Sequence, residues 1–242
     1  MNDPSPPRDG HDDEQKPGAP DSHNGVPEEA GELASESNGT LPEGVIPLHP
    51  AEPTPEPAPG PIAELAAACV RFVQAAVGVP LDFRPETLPL LDHYLTTRRE
   101  ELVAARAANP EAMGLVARAA AAYFGEVVRS HFRSFWHLAS DDPSTWEVRF
   151  ESVYLSVNPL AVVYDAIAHG DEEGPIAYLE LEDEDREAVA ARLNELPLAT
   201  DDEFFSLGPR LEVLEIAVDV VKSRMMASGL GEVSFAQDDY EN

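Results

Sequence analysis

Residues 119–136 read AAAAYFGEVVRSHFRSFW, and the period of this stretch decides what kind of fold the chain takes. At 100° per residue, Ala120, Tyr123, Phe124, Val127, Val128, His131 and Phe132 share one broad apolar sector, while Arg118, Glu126, Arg129 and Arg133 gather on the opposite side. The spacing predicts a helix from Asn109, as N-cap ahead of Pro110, to about Arg133. Gly114, Ala121 and Gly125 line one border of the sector. A glycine inside a helix costs about 1 kcal/mol relative to alanine, so Gly125 is expected to mark the close approach of another backbone.

Just beyond this helix the period changes from 3.6 to 2. TWEVRFE (145–151) alternates Trp146, Val148 and Phe150 with charged residues, and SVYLSVN (152–158) alternates Val153, Leu155 and Val157 with polar ones. Two half-buried strands are expected, joined near Glu151-Ser152, with FWHLA (135–139) as a third short strand before the SDDPS turn. Upstream, Ile62, Leu65, Cys69, Phe72, Val73 and Ala76 mark a helix stopped by Gly78 and Pro80. A second helix opens near Pro85 and carries Leu88, Leu91, Leu95 and Leu102. Downstream, Pro159 opens a short helix closed by Gly170, the DEEGP loop follows, and LEDEDREAVAARLNEL (181–196) reads as a helix with acids in its first turn. A last helix, about Pro209 to Met226, is apolar on two adjacent faces and is expected to lie in the core.

The first 60 residues are a different kind of polymer. They hold 13 of the 23 prolines and 13 acidic residues against Arg8 and Lys16, a composition unable to bury enough apolar surface to offset chain entropy. The fold class expected is therefore α+β: one helix-rich domain over 61–230 with a small antiparallel hairpin or three-stranded sheet. It follows a disordered acidic, proline-rich tail (1–60) and precedes a disordered acidic C-terminus (231–242).

Acidity extends to the domain. Removing the tail's −11 from the chain's −30 leaves −19 on the remaining 182 residues, which disfavours nucleic acid and anionic membrane surfaces as partners. The N-terminus shows no secretion signal, no apolar run reaches the ~20 residues of a membrane span, and Cys69 is the lone cysteine. These features lead us to expect the cytoplasm, with the alanine- and arginine-rich composition suggesting a bacterial source. Phosphate-loop, dinucleotide, nucleophile-elbow and CxxC patterns are all missing. His131 has no second metal ligand at helical spacing, and no metal, cofactor or catalytic residue is assigned.

LDFRPETLPLLDHYL (81–95), AAYFGEVV (121–128), WEVRF (146–150), VYLSVNP (153–159) and a helix ending in glycine together resemble a loosely defined family of uncharacterised bacterial domains. In that family a helical GAYFGEV-like motif precedes a β-hairpin. The resemblance spans about Pro80 to Gly170 and implies an α+β fold without an assigned activity.

The expected function is a non-catalytic interaction or regulatory module with a protein partner, for which Glu126, Arg129 and Arg133 form a candidate binding patch, since arginine forks suit carboxylates. Two alternatives stand beside it. One is an enzyme with a site between the third helix and the hairpin, using Glu126, His131 or Tyr154; the other is an acidic, immunity-like antagonist of a basic protein.

Overall fold

The stretch 119–136 becomes the central helix of the protein and its exit into a sheet. In the computed structural model, residues 56–108, 110–168, 178–197 and 205–241 are described, those at 105–108 and 110–113 by their backbone alone. The expected tail up to residue 55, the N-cap at Asn109, the Gly170 stop and the DEEGP loop lie outside the described residues.

Six helices and four strands make up the described part. Helices α1 (Gly60–Val77), α2 (Leu88–Ala108) and α3 (Pro110–His131) come first, with a single 3-10 turn, Pro85–Thr87, leading into α2. Strands β1 (Ser134–Leu138), β2 (Trp146–Phe150) and β3 (Ser156–Val157) follow, then α4 (Pro159–Ala168), β4 (Leu179–Glu180), α5 (Asp183–Leu193) and α6 (Leu207–Ala227). The fold is α+β, as the two periods required.

α3 packs against α1, α2 and α4 and meets the sheet at its end. From Ala119 to Arg129 every residue except Glu126 is buried, so around Arg129 the polar sector of the helical wheel is not a solvated face. α1 is long and apolar enough, by length and composition, to cross a membrane. Here it sets Ile62, Ala66, Cys69 and Val73 into the protein interior and leaves Glu64, Arg71 and Gln74 outside, the one-sided burial of a helix resting on a core. Gly78 ends it at φ 82°, in the left-handed region, with its N–H on Gln74 O at 2.9 Å.

The turn before α2 is pinned to α3. Phe83 has φ 64°, a strained value for a residue with a bulky side chain. Its N–H donates to Tyr123 Oη at 3.0 Å, its carbonyl accepts from Ser130 Oγ at 2.7 Å, and its ring lies 5.0 Å from that of Tyr123. α6 is in the core on one face: Leu207, Leu211, Leu214, Val218 and Val221 are buried, while Val213, Ile216 and Val220 are half-buried. Its N-terminus is held by Asp92 of α2, whose carboxylate accepts from Leu207 N at 2.7 Å and Gly208 N at 3.3 Å. A buried ion pair, Arg210 to Asp165 at 2.5 Å, ties α6 to α4.

The sheet is an antiparallel meander, β1-β2-β3-β4. Trp136 faces Val148 and Leu138 faces Trp146 across β1 and β2, and the buried Val148 and Phe150 pack toward the helices. Two expectations change. The strand expected over 152–158 shrinks to Ser156–Val157, because 151–155 bends so that Leu155 O receives Phe150 N at 3.0 Å. The C-terminal residues expected to be disordered instead fold back onto the sheet as far as Glu241: Phe235 N donates to Glu151 O at 2.7 Å and a 3-10 turn covers Gln237–Tyr240.

Candidate functional site

α3 ends beside a cleft of about 730 Å³ lined by the run Arg129–Trp136, by Glu56 and Glu151, and by Ser234–Gln237. All three residues of the candidate patch are at or next to it, in different states.

Arg129 is a buried tie. Its side chain is 4% exposed; Nη1 donates to Glu126 Oε1 at 2.8 Å and Nη2 to the carbonyl of Glu56 at 2.6 Å. Its Nε is buried and meets no acceptor among the described residues. Glu126 Oε1 also accepts from Trp136 Nε1 at 2.7 Å, so this carboxylate locks an arginine and an indole together. Arg129 lies on the side that the wheel labels polar, but the chain entering α1 passes there and closes it. Arg133, by contrast, is 67% exposed and pairs with Glu151 at 2.8 Å. These two are cross-strand neighbours, as the bond from Glu151 N to Arg133 O shows.

Gly125 explains why Trp136 fits. A Cβ built on it would lie 2.3 Å from the indole Cη2 and Cζ2, and 3.4 Å from Pro159 Cγ. The close approach is therefore made by an aromatic ring rather than by the backbone that sequence spacing suggested.

The three residues of the enzymatic alternative are held apart by separate partners. Glu126 serves Arg129 and Trp136. His131 Nε2 lies 2.6 Å from Glu215 Oε1 of α6, with its ring edge-on to Phe132. Tyr154 stacks on Tyr240 at 4.6 Å between centroids.

Several titratable groups with displaced pKa values belong to packing. Burial pushes the Cys69 thiol up. It also raises the Asp92 carboxyl to about 6, outweighing its two backbone hydrogen bonds. Desolvation lowers Arg210 against the opposing pull of Asp165. Among the described residues, no group of three His, Cys, Asp or Glu side chains is placed to hold a metal ion.

The remaining feature of the cleft is the open edge of β1. Because Arg133 and Glu151 are a hydrogen-bonded pair, alternation makes Phe135 and His137 the residues that bond to β2. The backbone N–H and C=O of Ser134, Trp136 and Leu138 then point the other way, where no further strand pairs among the described residues. Sequence reasoning missed Trp136, Glu151 and Glu215 as partners of the patch and of His131. Only Trp136, a large polar-tipped ring following a helical glycine, carried a local sign.

No protein family, curated protein or solved structure matches this chain.

Proposed function

We propose that this protein is a non-catalytic interaction module of the bacterial cytoplasm, receiving an extended segment of a protein partner along β1 and in the adjoining cleft. The observation that carries the reading is the edge of β1, which pairs with no further strand among the described residues: Ser134 and Trp136 line the cleft, and alternation directs their backbone groups away from β2. An extended peptide adds to such an edge through main-chain hydrogen bonds and uses neighbouring pockets for side-chain selection. The charged side chains alongside also support binding over catalysis. Arg129 and Arg133, which stay protonated and transfer no proton, are each engaged by a carboxylate, which suits a preformed surface. The net charge of −30 favours a basic partner segment and opposes phosphate backbones and anionic lipid.

The test is binding of labelled ten-residue peptides in which lysine or arginine alternates with valine or isoleucine, read by fluorescence anisotropy. The basic peptides should bind more tightly than glutamate-containing counterparts. Proline at alternate positions should abolish binding by removing ladder donors. Binding that tolerates proline equally well would refute strand addition, and binding indifferent to peptide charge would refute a basic partner.

A further inference from the structure

The outer face of the sheet carries a second site, which already has an occupant. Phe135 and Arg149 are cross-strand partners, as are Arg149 and Ser156. They lie on the face opposite Val148 and Phe150, where open strands of this size ordinarily present polar residues to water. Arg149 and Ser156 are nevertheless buried, and aromatic rings of the C-terminal segment meet this face.

Tyr240 is the centre of that cover. Its hydroxyl enters a collar formed by the 150–155 bend: the carbonyls of Phe150, Leu155 and Val153 lie at 2.7, 2.9 and 3.1 Å, and Leu155 N donates to it at 3.2 Å. The ring stacks on Tyr154 at 4.6 Å with 14° between planes, and the Arg149 guanidinium carbon sits 5.1 Å from its centroid. Phe135 meets it edge-on at 6.1 Å. Burial of the phenol pushes its pKa up to about 12, so the collar holds the neutral hydroxyl. Five residues earlier, Phe235 supplies a second anchor through its ring contact with Tyr154 and its N–H bond to Glu151 O.

The connection to the body is of a different kind. Gly229 and Gly231 adopt φ of 79° and 66°, and residues 228–234 are exposed throughout. A two-anchor peptide is thus tethered through a glycine-containing, solvent-exposed joint, while the collar that receives it is built by β2, the bend and β3.

We infer that this face is a peptide-binding site for an acidic segment with phenylalanine and tyrosine five residues apart, filled in cis by the chain's own C-terminus and open to the same segment of a second copy. Phe135, Glu151 and Phe235 also border the cleft, but the anchors Arg149 and Tyr154 and the carbonyls of Phe150, Val153 and Leu155 lie outside it, so the two readings can fail separately. In cis the tether holds the segment at an effective concentration on the order of millimolar. A free peptide therefore competes poorly until an anchor is removed.

The experiment uses the full chain with Tyr240→Ala and, as probe, a fluorescein-labelled peptide of residues 231–242. Anisotropy should show the variant binding the probe at least about tenfold more tightly than wild type does, because its own segment no longer holds the site. A probe carrying phenylalanine at the Tyr240 position should lose most of that binding. Equal binding, or none, by both proteins with the variant's circular dichroism unchanged would overturn the inference. Loss of fold in Tyr240→Ala would overturn it as well, by making the segment a core element rather than a ligand. Tyr240→Phe, which keeps the ring and removes the hydroxyl, gives an independent reading: hydrogen exchange over 232–241 should accelerate while the helices stay protected. Unchanged exchange there would show that the collar does not hold the segment.

Discussion

Replacing Gly125 by alanine, the smallest possible addition, is expected to destabilise the protein although alanine is the better helix former. The added Cβ would stand 2.3 Å from two atoms of the Trp136 ring, inside any tolerated contact, so the indole must move. Its freedom is limited by the bond from Nε1 to Glu126 at 2.7 Å and by Ala121, Ala122, Trp146 and Leu160, which line a small void with it. Three contributions decide the sign. Helix propensity favours alanine by about 1 kcal/mol. Overpacking costs about 1–3 kcal/mol. Losing a hydrogen bond to a charged acceptor costs about 1.5–3 kcal/mol. The balance is a loss of about 1.5–5 kcal/mol, measurable as a shift in the urea midpoint at unchanged slope. A double-mutant cycle isolates the cause: with Trp136→Leu already in place, Gly125→Ala should be neutral or stabilising by up to about 1 kcal/mol. A wild-type midpoint for Gly125→Ala alone, or an equal loss in both backgrounds, would refute the account of the indole as the constraint on residue 125.

Charge reversal separates the two arginines of the patch. Arg129→Glu should cost about 3–5 kcal/mol, since it puts a carboxylate at the buried Arg129 position, beside the half-buried Glu126. Arg133→Glu should stay within about 1 kcal/mol because its pair is exposed; comparable melts for the two would contradict the assigned burial. Asp92 supplies a pH dependence: its folded-state value of about 6 lies above the ordinary 3.8, so the native state binds the proton more tightly. Its contribution is complete below about pH 4 and is lost as pH rises through 6, about 3 kcal/mol in all. Asp92→Asn should therefore gain about that much relative to wild type between pH 4 and pH 8, and a pH-independent difference in denaturation midpoints would count against it. A chain beginning at Ala51 should melt like the full chain, whereas one beginning at Pro59 loses the Glu56 carbonyl that receives Arg129 and should lose about 1.5–3 kcal/mol; identical thermal melts would show that this contact contributes nothing.

Local patterns in the chain determined the element types: apolar residues at helical spacing for α1, α2, α3 and α6, a proline at the start of α4, acids in the first turn of α5, alternation for β2, and an α+β class from their order. Those signals arise between residues a few positions apart, where one turn or one pleat sets which side chains share a face. Tertiary structure decided which faces stay wet and which polar groups meet. Arg129 is buried by a carbonyl 73 positions away, Tyr240 is held by carbonyls 85 to 90 positions away, and His131 is met by Glu215 from another helix. A helical wheel assigns Arg129 to a polar side correctly, but it carries no record of the chain segment that later crosses that side. The shortening of β3 and the docking of the C-terminus have the same origin: the 150–155 bend turns its carbonyls toward a hydroxyl distant in sequence, a contact no local period encodes. Gly125 stands between the two levels, since its cost in a helix announced a close neighbour, while only packing determined that the neighbour is the ring of Trp136.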